Sequence, residues 1–209
     1  MAAPAERRFV LKLGGSLANG PWLAPWLAAL AGHAGPLVVV PGGGPFADAV
    51  RAAQARWRFD DRAAHRMALL AMEQFGLMLA ALSPTLRPAA SAASITRAQR
   101  EGMVPVWLPT AMAAEAPDLA PSWDVTSDSL AAWLAGRLGI RRLVLVKSAP
   151  LERAGASAAA LVASGVIDAA LPVLLSRHGL ACDLVAASAH AAWARGEMPA
   201  LRLAAEGFR

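Results

Sequence analysis

Short apolar runs alternate along the whole chain with longer segments that have helical spacing or an alanine-rich composition. The runs predict seven strands, at 7–13, 36–41, 86–90, 103–107, 142–147, 182–187 and 200–204. The intervening segments predict helices at 22–32, 45–57, 61–81, 94–101, 127–139, 169–178 and 188–195. Strands that alternate with helices form a mostly parallel sheet with helices on both faces. The pattern therefore predicts an α/β fold built as an open three-layer sandwich.

The length of the chain limits the number of domains. Its 209 residues are enough for one core and too few for two domains of comfortable size. Residues 109–125 contain three prolines, and residues 149–165 are rich in Ala, Ser and Gly, so both segments are predicted loops. Neither has the composition of a clear linker. We expect a single domain over residues 1–209.

Charge and cysteine content argue against several classes of protein. The formal net charge is +5, but the arginines are dispersed and form no run that would indicate a nucleic-acid-binding arm. Glycines and prolines interrupt the weakly charged stretch between Lys12 and Asp48, so we expect no membrane helix there. Cys182 is the single cysteine, which excludes an intrachain disulfide. A reducing cytoplasm is the expected compartment.

Lysine is rare in this chain. Eighteen basic residues are arginines and only two, Lys12 and Lys147, are lysines. Each lysine ends a predicted strand, and open α/β sheets bind ligands at the carboxyl ends of their strands. A compact ammonium group suits a tight phosphate contact better than a broad guanidinium. The alternative is that both lysines extend into solvent.

Glycine-rich loops follow the first two predicted strands. The first loop contains Gly14, Gly15 and Ser16, and the second contains Gly42, Gly43 and Gly44. Backbone amides in such loops, together with the start of a helix, bind anions. Neither loop matches a Walker A or dinucleotide-binding spacing, and three glycines also occur in plain tight turns.

Polar side chains cluster where the predicted helix at 127–139 begins. They are Asp124, Thr126, Ser127 and Asp128. Thr, Ser and Asp are common caps, but capping explains at most two of these groups. We favour a carboxylate that orients the two lysine ammonium groups over capping alone.

The predicted helix at 61–81 places His65 at helical spacing from Asp61 and Leu69. This face is a candidate acceptor surface, although His65 could equally be an ordinary surface residue. Arg51, Arg62 and Arg66 lie in the same part of the chain and would favour a carboxylate acceptor.

In their order along the chain, these motifs resemble those of the amino acid kinase superfamily over about residues 7–148. Within it, the chain is similar to the small aminomethylfuran phosphate kinases of methanofuran biosynthesis. Four segments carry this similarity: Pro41-Gly-Gly-Gly-Pro-Phe-Ala-Asp-Ala-Val-Arg51, His65-Arg-Met-Ala68, Thr126-Ser-Asp-Ser129 and Val146-Lys-Ser148.

The resemblance implies an acceptor half at about 1–110 and a nucleotide half at about 111–209. ATP with Mg²⁺ would be the co-substrate, with the metal held mainly by ATP. The acceptor would be an aminomethylfuran phosphate, converted to its diphosphate. The protein would be a homo-oligomer, a dimer or a hexamer.

The resemblance also implies roles for individual residues. Lys12 and Lys147 would stabilise the transferring phosphoryl group, and Asp128 would orient both lysines. Contacts to phosphate or nucleotide would come from Gly14, Gly15, Ser16, Thr126, Ser127 and Ser148. Acceptor contacts would come from Gly42, Gly43, Gly44, Arg51 and His65.

One segment departs from the family pattern. Many relatives follow the second lysine with an Asp-Gly pair and a Tyr or Pro, whereas this chain has Ser148-Ala-Pro-Leu-Glu152. Two alternatives to this kinase also stay open. One is a kinase of another acceptor, such as an acyl carboxylate, a nucleoside monophosphate or an isoprenoid phosphate. The other is a non-catalytic protein that stores a nucleotide or an oxyanion.

Overall fold

The computed structural model describes residues 8–33, 36–149, 151, 157–197 and 200–203. The strands are β1 Phe9–Leu13, β2 Leu37–Pro41, β3 Leu86–Ala89, β4 Val104–Trp107, β5 Arg142–Lys147, β6 Ala181–Ala186 and β7 Ala200–Leu203. The helices are α1 Leu23–Ala31, α2 Gly44–Trp57, α3 Asp61–Leu82, α4 Ala92–Arg100, α5 Thr110–Ala113, α6 Ser127–Arg137, α7 Ala158–Ala163, α8 Leu171–His178 and α9 His190–Ala194. Turns of 3-10 helix lie at Gly15–Asn19 and Ala187–Ala189.

All the described strands belong to one sheet, in the order β3-β4-β2-β1-β5-β6-β7. Each described pair is parallel except β6 with β7, which is antiparallel. The predicted α/β class with a mostly parallel sheet is therefore confirmed. From β1 the chain moves to β2 on one side and later returns to β5 on the other. The carboxyl ends of β1 and β5 thus flank the point where the strand order reverses, a common ligand position.

Side chains of the central strands alternate between two cores. Leu11 and Leu13 of β1 pack on one face in the same cluster as Trp26 of α1. Val10 of β1 packs on the opposite face in the same cluster as Leu134 of α6. This alternation follows from the two-residue period of a strand. Helices therefore cover both faces of the sheet, as predicted.

The differences from the predicted elements fall in connecting segments. α5 and α7 lie within 109–125 and 149–165, for which the sequence predicts loops. They contain only four and six residues, which is too short for a helical period to be recognised in the sequence. Ala187 begins a 3-10 turn instead of ending β6. Residues 7 and 204, predicted strand ends, lie outside the described residues.

The longest described helix is α3, with 22 residues. It carries charged side chains such as Asp61, Arg62, Arg66 and Glu73 among its apolar ones. In the part of the chain that the structure describes, no helix combines the length and the apolar character needed to cross a membrane.

Candidate active site

Both lysines point toward the same carboxylate. Lys12 is the penultimate residue of β1, Lys147 is the last residue of β5, and these strands are neighbours. Strand alternation turns both side chains toward the face covered by α6. Asp128, the second residue of α6, meets them there. Lys12 Nζ lies 3.0 Å from Asp128 Oδ1, and Lys147 Nζ donates a hydrogen bond to Asp128 Oδ2.

These three residues, the Lys12–Asp128–Lys147 group, are withdrawn from solvent. Their exposed fractions are 7%, 3% and 9% in that order. Burial alone would raise the pKa of Asp128, but the charges and hydrogen bonds of both lysines outweigh it and bring the pKa to about 2. Burial and the Lys12 charge lower the pKa of Lys147, against the opposing effect of Asp128. With one carboxylate for two ammonium groups, the protonated group carries a net positive charge suited to an anion.

The glycine loops after β1 and β2 touch each other. A Cβ on Gly15 would lie 2.1 Å from the backbone nitrogen of Gly44, and a Cβ on Gly42 would lie 2.2 Å from the nitrogen of Gly15. Both obstacles are backbone atoms that cannot rotate away. Glycine is therefore required at these two positions for the loops to pack, a reason that the sequence alone did not reveal.

A hydrogen bond joins the β1 loop to the end of β5. Ser16 Oγ and Ser148 Oγ are 2.7 Å apart, and both residues are exposed. Beside them, a Cβ on Gly14 would lie 3.2 Å from the Val146 carbonyl oxygen. The loop that follows Lys12 is thus held against the strand that ends in Lys147.

A cleft of about 470 Å³ opens above these loops. It is bounded by the ends of β1 and β5, the start of α2, one face of α3, the start of α6 and the segment before α8. Most of the predicted site residues line it: Lys12, Gly15, Ser16, Gly43, Gly44, Arg51, His65, Thr126, Ser127, Asp128 and Lys147. Gly14, Gly42 and Ser148 are not among the lining residues. Their contacts are with the neighbouring loops instead.

The aromatic ring of Trp123 lies beside Arg51 in the cleft. The Arg51 guanidinium lies 4.4 Å from the centre of the Trp123 ring, and its Nη1 lies 3.1 Å from Asp48 Oδ1. Trp123 Nε1 donates a 2.7 Å hydrogen bond to Gln54 Oε1, which fixes the ring. Trp123 was not singled out from the sequence. A single tryptophan among polar residues forms no sequence motif that would indicate a binding site.

His65 lines the cleft from α3 and is buried. Burial lowers the pKa of its imidazole, which favours the neutral form. Its Nε2 atom has no hydrogen-bond partner among the described residues. A buried nitrogen of this kind has unused capacity for a ligand.

Arg62 and Arg66, considered above as carboxylate ligands, do not line the cleft. Both are exposed and form ion pairs with Glu115, each at 3.0 Å. Of the three arginines considered, the structure brings only Arg51 to the cleft.

Asp168 is a cleft residue that the sequence analysis missed. Thr126, the N-cap of α6, makes no side-chain cap of its own. Its hydroxyl instead donates to Asp168 Oδ2 at 2.8 Å. A sequence signal for Asp168 was available. An aspartate shortly before a helix that begins with a proline, here Pro172 in α8, is typical of a helix N-terminus.

The described side chains of the cleft do not form a metal-binding site by themselves. Among the described residues, no group of three His, Cys, Asp or Glu side chains is placed to hold an ion. Both oxygens of Asp128 face lysines, and the carboxylate of Asp168 accepts several hydrogen bonds. A magnesium ion that entered with a nucleotide would therefore take its ligands mainly from phosphate oxygens and water, with none from Asp128 or Asp168.

The model of the Amino acid kinase family matches residues 7–150. The [5-(aminomethyl)furan-3-yl]methyl phosphate kinase of Methanocaldococcus jannaschii is 26% identical over 140 residues, 65% of this chain and 63% of that protein. The match thus spans less than two thirds of that relative's length.

Two solved structures illustrate the shared fold. Uridylate kinase from Archaeoglobus fulgidus superposes with a TM-score of 0.66 at 16% identity, covering 91% of this chain and 96% of that one. An isopentenyl phosphate kinase superposes with a TM-score of 0.58 at 17% identity, covering 93% and 98%. Since the family model matches well over half of the sequence, the chain belongs to the amino acid kinase family.

Proposed function

We propose that this chain is an ATP-dependent phosphotransferase that acts on a small phosphorylated acceptor. The observation that carries the proposal is the buried Lys12–Asp128–Lys147 group beside the cleft. Phosphoryl transfer depends on positioning and on neutralising charge that spreads over the phosphoryl oxygens. Two fixed ammonium groups in a site shielded from water supply that charge without reorganisation during the reaction.

The proposed reaction needs no protein base. A phosphate oxygen of the acceptor attacks the γ-phosphorus of ATP, the bond from that phosphorus to the bridging oxygen breaks, and ADP leaves with the electron pair. A phosphate monoester is already ionised near neutral pH. Asp128, with a pKa of about 2 and a lysine at each oxygen, is a poor proton acceptor. Magnesium bound to ATP would neutralise further charge on the β- and γ-phosphate oxygens.

The acceptor half is proposed at about 1–110 and the nucleotide half at about 111–209. Arg51 on α2 supplies a cation to the acceptor side of the cleft. His65 on α3 supplies an imidazole nitrogen that has no hydrogen-bond partner in the described part of the chain. Ser16 and Ser127 line the cleft and are proposed to contact phosphate oxygens of the nucleotide. Thr126, which the resemblance also assigns to this role, directs both its backbone N–H and its hydroxyl to Asp168 and has no donor left for a phosphate oxygen.

An aminomethylfuran phosphate is the acceptor that we propose, with a diphosphate as the product. The relative from Methanocaldococcus jannaschii supports it through its name, and the segments at 41–51 and 126–129 support it by resemblance. A cytoplasmic location and a dimeric or hexameric assembly complete the proposal. The exposed apolar side chains of α3, among them Leu70 and Leu77, suit a subunit contact.

ADP release tests the reaction directly. Purified protein with MgATP would be assayed with [5-(aminomethyl)furan-3-yl]methyl phosphate, with UMP, with isopentenyl phosphate and with an amino acid as a carboxylate acceptor. We expect ADP and a diphosphate product only with a phosphorylated acceptor, and fastest with the furan. Turnover of another acceptor alone would refute the furan proposal and keep the kinase. ATP binding in calorimetry without turnover of any acceptor would instead indicate a storage protein.

A further inference from the structure

We infer that Asp168 is a positioning residue of this site, which holds the first turn of α6 and so places the Asp128 carboxylate between the two lysines. The inference deepens the proposed function and rests on it wherever turnover is measured. Asp168 was assigned no role by the sequence motifs. Its role follows from its contacts within the fold.

Asp168 accepts hydrogen bonds from two positions of the first turn of α6. Its Oδ2 accepts from the Thr126 backbone nitrogen at 2.9 Å, the Thr126 hydroxyl at 2.8 Å and the Ser129 nitrogen at 3.0 Å. Its Oδ1 accepts from the Ser129 hydroxyl and from the Leu171 nitrogen at 2.8 Å. One carboxylate therefore joins the N-terminus of α6 to that of α8.

The two helix starts need this partner. The first amides of a helix have no acceptor within the helix, and Thr126 does not cap α6 with its own side chain. A carboxylate at this position satisfies these donors and also interacts favourably with the helix dipole. The Ala170 nitrogen donates to the Asp124 carbonyl at 3.2 Å, which ties the same two segments together a second time.

The bonding capacity of Asp168 is already used. Two carboxylate oxygens offer about four lone-pair sites, and five donors reach them here. Although Asp168 lines the cleft, it has no free acceptor site for a substrate or a metal. Its effect on the reaction must therefore pass through the residues that it holds.

Asp128 lies between the two anchored positions. It is two residues after Thr126 and directly before Ser129, so Asp168 fixes the backbone on both sides of it. The lysines then meet the carboxylate of Asp128 in a set orientation. Loss of the anchor would let the first turn of α6 fray and loosen both ion pairs.

The charge of Asp168 also reaches Lys147. The charged groups that face this lysine are Lys12 on β1, Asp128 on α6 and Asp168 before α8. The Cys182 thiol on β6 stays neutral because burial raises its pKa far above the usual range. Burial and the Lys12 charge lower the pKa of Lys147, whereas Asp168, like Asp128, opposes that change.

Lysine NMR gives a test that needs neither ATP nor an acceptor. The chain has two lysines, so protein labelled with ¹³C at lysine Cε shows two lysine signals. They can be assigned from Lys12→Arg and Lys147→Arg. In Asp168→Asn we expect the Lys147 midpoint to fall by about half a pH unit or more, because one nearby negative charge is lost and its partner Asp128 is loosened. An unchanged midpoint in folded Asp168→Asn would overturn the inference.

A matched control separates positioning from general support of α6. Asp118 accepts a 2.9 Å hydrogen bond from Trp133 Nε1 of α6, but it does not line the cleft. Asp118→Asn should lower the unfolding temperature without moving the Lys147 signal. A shift as large as that of Asp168→Asn would count against the inference.

A second variant covers the case in which Asp168→Asn does not fold. Ser129→Ala removes one donor and leaves the Asp168 charge in place. We expect faster amide hydrogen exchange in this variant than in the wild type, both at Thr126 and at the substituted position itself. If the proposed kinase activity is present, kcat should fall with the KM for ATP within about twofold, since no nucleotide contact is lost. Wild-type exchange rates at this turn would overturn the inference, whatever the fate of the proposed reaction.

Discussion

The carboxylate of Asp128 and the ammonium group of Lys12 lie 3.0 Å apart, although 116 positions separate them in the chain. Lys147 occupies the second oxygen of the same carboxylate. Removing Asp128 would leave two buried ammonium groups without a counter-charge, whereas removing either lysine would leave a neutral pair, so each member can be tested separately.

Lys12→Ala and Lys147→Ala should each lower kcat on the order of a hundredfold or more, since each removes a preorganised stabiliser of the transferring phosphoryl group. ADP release with the active acceptor measures the effect. Arg100→Ala removes an exposed positive charge at the end of α4 and should leave kcat unchanged. Near-normal turnover in either lysine variant would remove that lysine from the proposed mechanism.

Asp128 should contribute to stability in a pH-dependent way. Its pKa falls from 3.8 to about 2 on folding, so its contribution is present above pH 4 and is lost as the pH falls through about 2. The difference in unfolding free energy between wild type and Asp128→Asn should shrink by about 2 kcal/mol between pH 7 and pH 2. Urea unfolding at several pH values measures this difference. A difference that stays constant would contradict the assignment of the low pKa to this ion-paired carboxylate.

The alkaline limb of the pH–rate profile should report Lys147. Burial and the Lys12 charge lower its pKa, so the ammonium group is lost below the ordinary value of 10.5. We expect kcat/KM, which reports the ionisation of the free enzyme, to fall at alkaline pH with a midpoint below that value. Lys147→Arg retains its charge throughout this range, so any residual activity should lack this limb. If the kcat/KM of the wild type stays constant beyond pH 10.5, the role of a protonated Lys147 is refuted.

Gly15→Ala and Gly42→Ala should each cost about 1–3 kcal/mol of stability, because the added Cβ would force the two loops apart. The displaced loops should also lower kcat. Gly20→Ala is a suitable control: its Cβ would have no neighbour closer than 3.9 Å, and its φ of −112° suits alanine. Thermal unfolding and ADP release compare the three variants. Equal stability of all three would show that the loops can separate without cost.

Arg51→Ala and His65→Ala should raise the KM for the acceptor by about tenfold or more, as expected when a hydrogen bond to a charged ligand is lost. The KM for ATP should change little, because both residues lie in the proposed acceptor half. Arg66→Ala, one position beyond His65 on α3, pairs with Glu115 outside the cleft and serves as the control. If the KM for ATP rises instead, the two halves have been assigned in the wrong order.

Much of the fold was predictable because its strands are short and strongly apolar. The runs ending in Lys12 and Lys147 identified β1 and β5, and their polar ends indicated the ligand edge of the sheet. α5 and α7 were missed because four or six residues hold too little periodicity. The single-domain expectation and the roles of the site residues stay predictions.

Composition and local spacing were enough to establish the alternation of strands and helices, the positions of the lysines at strand ends and the glycines after them. Each of these features depends on residues within a short window of the chain. The folded packing was needed to show that Gly15 and Gly42 permit two loops to touch, and that Asp168 holds the start of α6. Close backbone approach and hydrogen bonds between distant segments have no local signature. Asp168 lies 42 positions from Thr126, and only the packing of α6 beside α8 brings them together.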